Sequence, residues 1–241
     1  MITLSILIPV FNEERTIRQL LTAVAGQSVE GVKIEVVVID DASADATPAI
    51  LHECAGLYTK LVTLSQNSGK GAAVIAGLRE TTADYVLVQD ADMEYSPSEY
   101  ANLLKPVLNF GAEVVIGSRF LAPNWTRVIY FWHKAGNWVI TTIFNLLNNT
   151  TFTDIYSGFL LFRRSLVSPL ELACAGWAQQ AEILSKVCPR ARVIYEVSIN
   201  YVGRTYAEGK KIRAHDAVPV IWTMLRERCA RLFKPTARST T

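Results

Sequence analysis

The chain has 241 residues, half of them apolar, with a formal net charge of +2. That length supports one large domain, or a domain with an extension, and that apolar fraction supplies a core without covalent staples. So small a net charge excludes a general nucleic-acid binder, and four cysteines without a CxxC pair exclude a zinc module and a disulfide scaffold.

Leu4 to Val10 reads as a buried strand, followed by Asn12, Glu13 and a helical pattern through about Ala25 (Ile17, Leu20, Leu21, Val24). Ile34 to Ile39 is a second strand running into Asp40-Asp41-Ala42-Ser43-Ala44-Asp45-Ala46-Thr47, a loop that caps the next helix. Leu61 to Leu64 is a short third strand. Asn67-Ser68-Gly69-Lys70-Gly71 opens a helix to about Thr81, its glycines expected to let the helix start pack close to the sheet. Tyr85 to Gln89 is a fourth strand, Ser96-Pro97 starts a helix to about Phe110, and Val114 to Arg119 is a fifth strand.

Strand and helix thus alternate five times, and the strands show little polar alternation. That predicts an α/β fold, a single Rossmann-like domain with a mostly parallel central sheet covered by helices on both faces. Ligands bind such sheets beyond the carboxyl ends of the strands. The notable polar residues fall at those ends: Asn12 and Glu13, Asp40 and Asp41, Asp90 and Asp92, and Arg119.

Asp90-Ala91-Asp92 is the sharpest of these signals. Residues i and i+2 of an extended chain point the same way, so the two carboxylates converge just past a strand end, with Glu94 two residues further on. Close carboxylates repel, and a hard divalent cation such as Mg²⁺ or Mn²⁺ between them relieves the repulsion. A strand-to-helix loop with a capping aspartate also fits this spacing.

Beyond residue 120 the texture changes. Residues 127–148 are rich in Trp, Tyr, Phe, Ile and Leu but are interrupted by His133, Lys134, Asn137 and Asn145. No apolar run reaches the ~20 residues of a spanning helix. An interfacial amphipathic helix and an ordinary packed helix both fit. A turn and strand follow in Asp154–Arg164, then a helix around Ala178–Val187 carrying Glu182, a strand from Val193 to Ile199, a basic glycine-bounded loop at 203–211, and a last helix from Val218 to Phe233. Residues 1–202 hold 15 basic and 19 acidic side chains, whereas 203–241 hold 9 and 3. The basic end is expected to meet phosphate or an anionic membrane surface. The chain is read as one domain over residues 1–213, changing in texture at about residue 120, plus a basic amphipathic helix and tail over 214–241. With neither a signal peptide nor a terminal transmembrane pair in the sequence, a cytoplasmic protein that is peripheral on a membrane face is expected.

Seven motifs in order resemble the family 2 glycosyltransferases with a GT-A fold, in particular the dolichol-phosphate and polyprenyl-phosphate mannosyl- and glucosyltransferases. They are Ile8-Pro9-Val10-Phe11-Asn12-Glu13, Asp40-Asp41-Ala42-Ser43, Asn67 with Gly69-Lys70-Gly71, Asp90-Ala91-Asp92, Gly117-Ser118-Arg119-Phe120, Ser157-Gly158-Phe159, and Gly203-Arg204-Thr205-Tyr206 with Gly209-Lys210-Lys211. The resemblance spans residues 2 to about 213 and implies a nucleotide-sugar-binding half (1–120) and an acceptor-binding half (121–213). It implies inverting transfer of one sugar, mannose or glucose, from a GDP- or UDP-hexose to a polyprenyl phosphate, with Mg²⁺ or Mn²⁺. It implies that Asp90 and Asp92 hold the metal, with Glu94 where relatives place a third ligand. Donor contacts are implied for Pro9, Phe11, Glu13, Ile39, Asp41, Lys70, Asp90 and Ala91, Asp41 facing the base. Arg119, Arg204 and Lys210 are assigned to phosphates beside Asp92, and Arg127, His133 and Lys134 are candidates for the acceptor.

A phosphate monoester is already anionic at neutral pH and needs little help from a general base, whereas a hydroxyl needs one. The sequence offers only Asp154 and Glu182 as bases and lacks QxxRW, which favours the phosphate acceptor over a sugar hydroxyl in polysaccharide assembly. The absence of a Gly-rich loop after the first strand argues against a sugar-nucleotide pyrophosphorylase. The set of acidic and basic motifs argues against a non-catalytic nucleotide-sugar-binding protein.

Overall fold

The computed structural model describes residues 1–128, 130–204 and 217–233. Seven strands form one sheet: β1 (Ile2–Val10), β2 (Val32–Asp40), β3 (Lys60–Thr63), β4 (Tyr85–Val88), β5 (Val114–Ser118), β6 (Leu160–Arg163) and β7 (Ile194–Ser198), in the order β3-β2-β1-β4-β6-β5-β7. The helices are α1 (Ile17–Ala25), α2 (Thr47–Glu53), α3 (Lys70–Arg79), α4 (Tyr100–Phe110), α5 (Phe131–Asn148), α6 (Gln179–Val187) and α7 (Ala217–Phe233). The expected elements are therefore present. The Ser96-Pro97 start is first a 3-10 turn over Pro97–Glu99, with Ser96 accepting from the Ser98 N–H, before α4 begins.

The alternating side chains of β1 divide the core in two. Leu4, Ile6, Ile8 and Val10 pack with α1 and α4 on one face. Leu7 joins α3, α5, α6 and α7 on the other. Two covered faces explain the near-continuous apolar strands. The last helix shares this core through Val220 and Met224.

One strand departs from the parallel expectation. β6 lies between β4 and β5 and runs antiparallel to both. Its Leu160, Leu161 and Phe162 are buried on both faces, as a central strand requires. Strand direction leaves no trace in an apolar run, so the sequence pattern could not show it. The start of an antiparallel strand shares an edge with the ends of its neighbours, so residues 154–159 arrive beside the carboxyl ends of β4 and β5.

The helix-start glycines also have another partner than the sheet. A Cβ on Gly71 would lie 2.1 Å from the Cys174 carbonyl oxygen, and one on Gly69 (φ +90°) would lie 2.8 Å from that of Ala175. The Ala72 N–H donates to the same Ala175 oxygen at 3.1 Å. It is Gly77, further along α3, that touches the sheet, against Ile39 and Leu7. The cysteines are all free, but only Cys54 and Cys188 are buried, while Cys229 is exposed. Gly71→Ala should force α3 away from the 174–175 backbone and lower stability by about 3 kcal/mol, read as a shifted urea-unfolding midpoint.

Candidate active site

The carboxyl ends of β1, β2, β4 and β5 open onto one cavity of about 500 Å³. Pro9, Phe11, Glu13, Asp41, Lys70, Asp90, Ala91, Asp92, Glu94, Arg119, His133 and Arg204 line it. The structure therefore brings together most of the side chains singled out in the sequence.

The β1 and β2 ends are stapled to each other. Asn12, at φ 52°, donates its N–H to Ser43 Oγ at 3.0 Å and accepts from the Ala44 N–H at 2.9 Å. The Glu13 N–H donates to Thr47 Oγ1. Asp40 accepts from the Ser43 N–H and shapes the loop from within, whereas Asp41 reaches the cavity. The Asp41 oxygens also accept from the Ser68 and Gly69 N–H groups at 2.7 and 2.8 Å, which fixes the entry to α3.

Past β4, Gln89 is wholly buried and holds the acidic turn. Its Nε2 donates to the carbonyls of Asp90 and Tyr95 at 2.9 and 3.2 Å, and its Oε1 accepts from the Tyr100 hydroxyl at 2.8 Å. Gly158, just before β6, lets this turn approach, because a Cβ there would lie 2.8 Å from Asp90 Oδ2. Burial raises the pKa of Asp92, helped by the charges of Asp90 and Glu94, to about 7. A buried acid beside two more carboxylates is an environment that a cation would stabilise. Asp90 itself forms an ion pair with Lys70.

Glu94 is engaged elsewhere. Its oxygens accept from the Tyr201 hydroxyl and the Arg204 N–H, both at 2.7 Å. Among the described residues, no three His, Cys, Asp or Glu side chains converge as a metal site. Two carboxylates still suit Mg²⁺ or Mn²⁺, which commonly take their remaining oxygens from phosphate and water. Glu94 instead clasps the 201–204 segment, and Arg204 reaches back to the Asp92 carbonyl and lies 3.6 Å from Glu13.

Arg119 enters the cavity with its charge already matched. Its Nε and Nη2 make a forked pair with Asp154 at 2.7 and 2.9 Å, and Nη2 also donates to the Tyr156 carbonyl. Burial opposes the positive charge, but Asp154, together with Tyr95 and Tyr201, outweighs it and raises the Arg119 pKa. Asp154 is held in turn by Glu196 of β7, which accepts from the Thr153 and Asp154 N–H groups.

The remaining candidates separate clearly. The Ile39 side chain is buried beneath α3, packed at Gly77, and does not line the cavity. Of the three acceptor candidates, His133 faces the cavity. Arg127 donates to the Gly203 carbonyl, and Lys134 lies over the Phe120 ring. Lys210 lies outside the described residues. The structure adds Tyr95, Trp132, Asn137, Tyr156, Trp177 and Gln180 to the walls. Asn137 is 8% exposed, and its Nδ2 has no hydrogen-bond partner among the described residues. Ser157-Gly158-Phe159 directly follows Tyr156 in the sequence, and Arg119 and Lys70 of other motifs meet this wall at Asn137, Tyr156 and Trp177. The aromatic and amide residues there carry no spacing that separates them from core. Asp154→Ala should leave the Arg119 charge buried and unpaired and cost about 3–5 kcal/mol, with much of it recovered in the Arg119→Leu/Asp154→Leu double variant; thermal or urea melts of both read this.

The chain is similar to known proteins in sequence and in fold. The chain is 28% identical over 213 residues to a dolichol-phosphate mannosyltransferase of Pyrococcus furiosus, covering 86% of this chain and 60% of that one. It is 28% identical over 182 residues to a UDP-N-acetylglucosamine–dolichyl-phosphate N-acetylglucosaminyltransferase of Methanococcus voltae, covering 68% and 71%. An undecaprenyl-phosphate 4-deoxy-4-formamido-L-arabinose transferase of Pseudomonas aeruginosa matches at 28%, over 86% of this chain and 59% of its own length. The chain thus spans about 60% of the length of two of these relatives. Among solved structures, glucosyl-3-phosphoglycerate synthase of Mycobacterium tuberculosis, in a complex with Mn²⁺, UDP and its product, superposes with a TM-score of 0.70 at 21% identity, covering 95% of this chain and 80% of that one. That likeness is one of fold, and the fold is GT-A. The pattern of Glycosyl transferase family 2 matches residues 5–170, and the chain belongs to that family.

Proposed function

We propose that this chain moves one hexose, with inversion, from a nucleotide-diphosphate sugar to a polyprenyl phosphate. The observation that carries this reading is the placement of the acids. Asp154 is wholly buried against Arg119, and Glu182 is wholly buried against the Ala173 and Cys174 N–H groups and Arg226. Neither lines the cavity, so neither acid that the sequence offered as a base can serve there. Cations line it beside its carboxylates: Lys70, Arg119 and Arg204. A nucleophile that arrives already charged needs no base and leaves Asp90 and Asp92 to the metal, whereas a hydroxyl would have to take one of the cavity carboxylates for its proton. The names of the three curated relatives, each a transferase acting on dolichyl or undecaprenyl phosphate, support the same acceptor class.

In this reading Asp41, Pro9 and Phe11 receive the nucleotide, and Asp90 and Asp92 hold Mg²⁺ or Mn²⁺ against the diphosphate. Bound there, the cation offsets charge developing on the leaving group. Arg119, fixed by Asp154, presents a rigid guanidinium, which keeps the acceptor phosphate in line with the anomeric carbon. Arg204, held through its own N–H by Glu94, closes the other side, and Lys210 is assigned to the same loop. Transfer should appear with GDP- or UDP-hexose and a short-chain polyprenyl phosphate in Mg²⁺ or Mn²⁺, should vanish in chelator, and should fall at least about a hundredfold in Asp92→Ala. A donor panel with product chromatography measures this; a product on free sugar and none on polyprenyl phosphate would overturn the acceptor.

The same reading places the protein against a membrane, on its cytoplasmic face. No helix among the described residues is long and apolar enough to cross one. Yet α5 exposes Phe131, Trp132, Trp138 and Leu146, and α7, which packs beside it, exposes Trp222, Leu232 and Phe233. Exposed aromatics with Arg226, Arg228 and Arg231 on one helix suit the boundary of an anionic bilayer. The protein should cosediment with anionic liposomes in a salt-sensitive way. Trp138→Ser and Trp222→Ser should each weaken binding about tenfold.

A further inference from the structure

Lys70 is the first residue of α3 and lines the cavity. Its ammonium pairs with Asp90 Oδ1 and lies 5.9 Å from the centre of the Trp177 ring. Both partners are largely buried, with side-chain exposures of 19% and 22%. Asp90 Oδ2 faces Gly158, where a Cβ would come within 2.8 Å of it. The carboxylate assigned to the metal is therefore already occupied by a cation belonging to the chain. A divalent ion and an ammonium cannot share that oxygen without strong repulsion.

The lysine side chain is built to yield. Its ammonium is a point charge on a flexible four-carbon stem, with none of the fork geometry that fixes Arg119 to Asp154. Its root is fixed, because Asp41 anchors Ser68 and Gly69 and the Ala175 carbonyl anchors Ala72. The head can therefore leave Asp90 while the stem stays at the cavity wall. An anion entering the same cavity offers it a new partner, and Trp177 gives the charge an aromatic face in passing.

We propose that Lys70 is an internal counter-ion for Asp90. It holds the acidic turn together before substrate arrives, gives up Asp90 to the divalent cation, and transfers its charge to the donor's diphosphate. This rests on the assignment of Asp90 and Asp92 to a metal. It goes further in making the exchange of lysine for metal the step that couples metal binding to donor binding. Each ligand removes an obstacle to the other: the metal frees Lys70 for the diphosphate, and the diphosphate draws Lys70 off the metal's oxygen.

Mn²⁺ binding to nucleotide-free protein, followed by the loss of the free-ion EPR signal, tests the exchange. Lys70→Met should bind Mn²⁺ about tenfold more tightly than the unaltered protein. In saturating Mn²⁺ it should bind UDP and GDP more weakly. Lys105→Met, with the same charge change on α4, should alter neither. A second measurement needs no variant: reductive methylation of Lys70, mapped by mass spectrometry, should rise when Mg²⁺ is added and fall again when nucleoside diphosphate follows. Unchanged Mn²⁺ affinity in Lys70→Met, or Lys70 labelling indifferent to Mg²⁺, overturns the exchange while leaving the metal site standing. If the unaltered protein binds no Mn²⁺ even with UDP or GDP, the exchange and the metal assignment fall together.

Discussion

Repulsion among carboxylates crowded at one edge of the sheet governs how the surroundings of the cavity are built. Glu13, Asp41, Asp90, Asp92 and Glu94 all line it, and like charges at that density persist only where each finds its own compensation. Asp41 finds two backbone N–H groups. Glu94 finds a tyrosine hydroxyl and a backbone N–H. Glu13 faces Arg204, and Asp90 has Lys70. Asp92 accepts the Glu94 N–H at 3.1 Å, and its burial, with the charges of Asp90 and Glu94, raises its pKa. The turn is thus compensated unequally, with the shortfall at Asp92.

The antiparallel strand β6 makes this arrangement possible. A wholly parallel sheet would bring only strand ends and the loops after them to the carboxyl edge. By reversing direction between β4 and β5, β6 delivers the chain before it to that edge as well. Gly158 then abuts Asp90, and Asp154 meets Arg119 directly after β5. Glu196, on the neighbouring β7, secures the 153–154 turn from the side. The rigid guanidinium of Arg119 and the close approach at Asp90 are both consequences of one strand's direction.

That topology also marks where the sequence stopped being legible. An apolar run ending abruptly in Asp90-Ala91-Asp92 declares a strand end and its chemistry within a few residues, as does Arg119 after Val114–Ser118. Both placements could be read because they depend on local geometry alone. The partners of these residues could not. Lys70 and Asp90 come from different helix and strand units, and Glu94 meets Tyr201 and Arg204 more than a hundred positions along the chain. Gly69 and Gly71 announced a close approach, expected to be to the sheet, and their partner is the 174–175 backbone. Ile39 lies near the end of its strand beside Asp40 and Asp41, yet its side chain belongs to the core under α3. Residue type and spacing report which groups reach an edge; tertiary pairing decides which of them remain available there.

Availability is what separates the two acceptor classes. Glu182 would pass for a base in a sequence pattern, sitting on a helix near Gly176 and Trp177, which line the cavity. In the folded chain it instead ties the 173–174 backbone and Arg226 of α7 together, and Glu227 joins Arg226 to Lys186 of α6. Through Ala175 that same segment supports the start of α3, and so the root of Lys70. An acid used in this way cannot also accept a proton from substrate without loosening the wall of the cavity. A nucleophile that brings its own negative charge makes no such demand, and Lys70, Arg119 and Arg204 offer it positive charge. Structural use of Asp154 and Glu182 removes both as bases, and that supports the proposed phosphate acceptor.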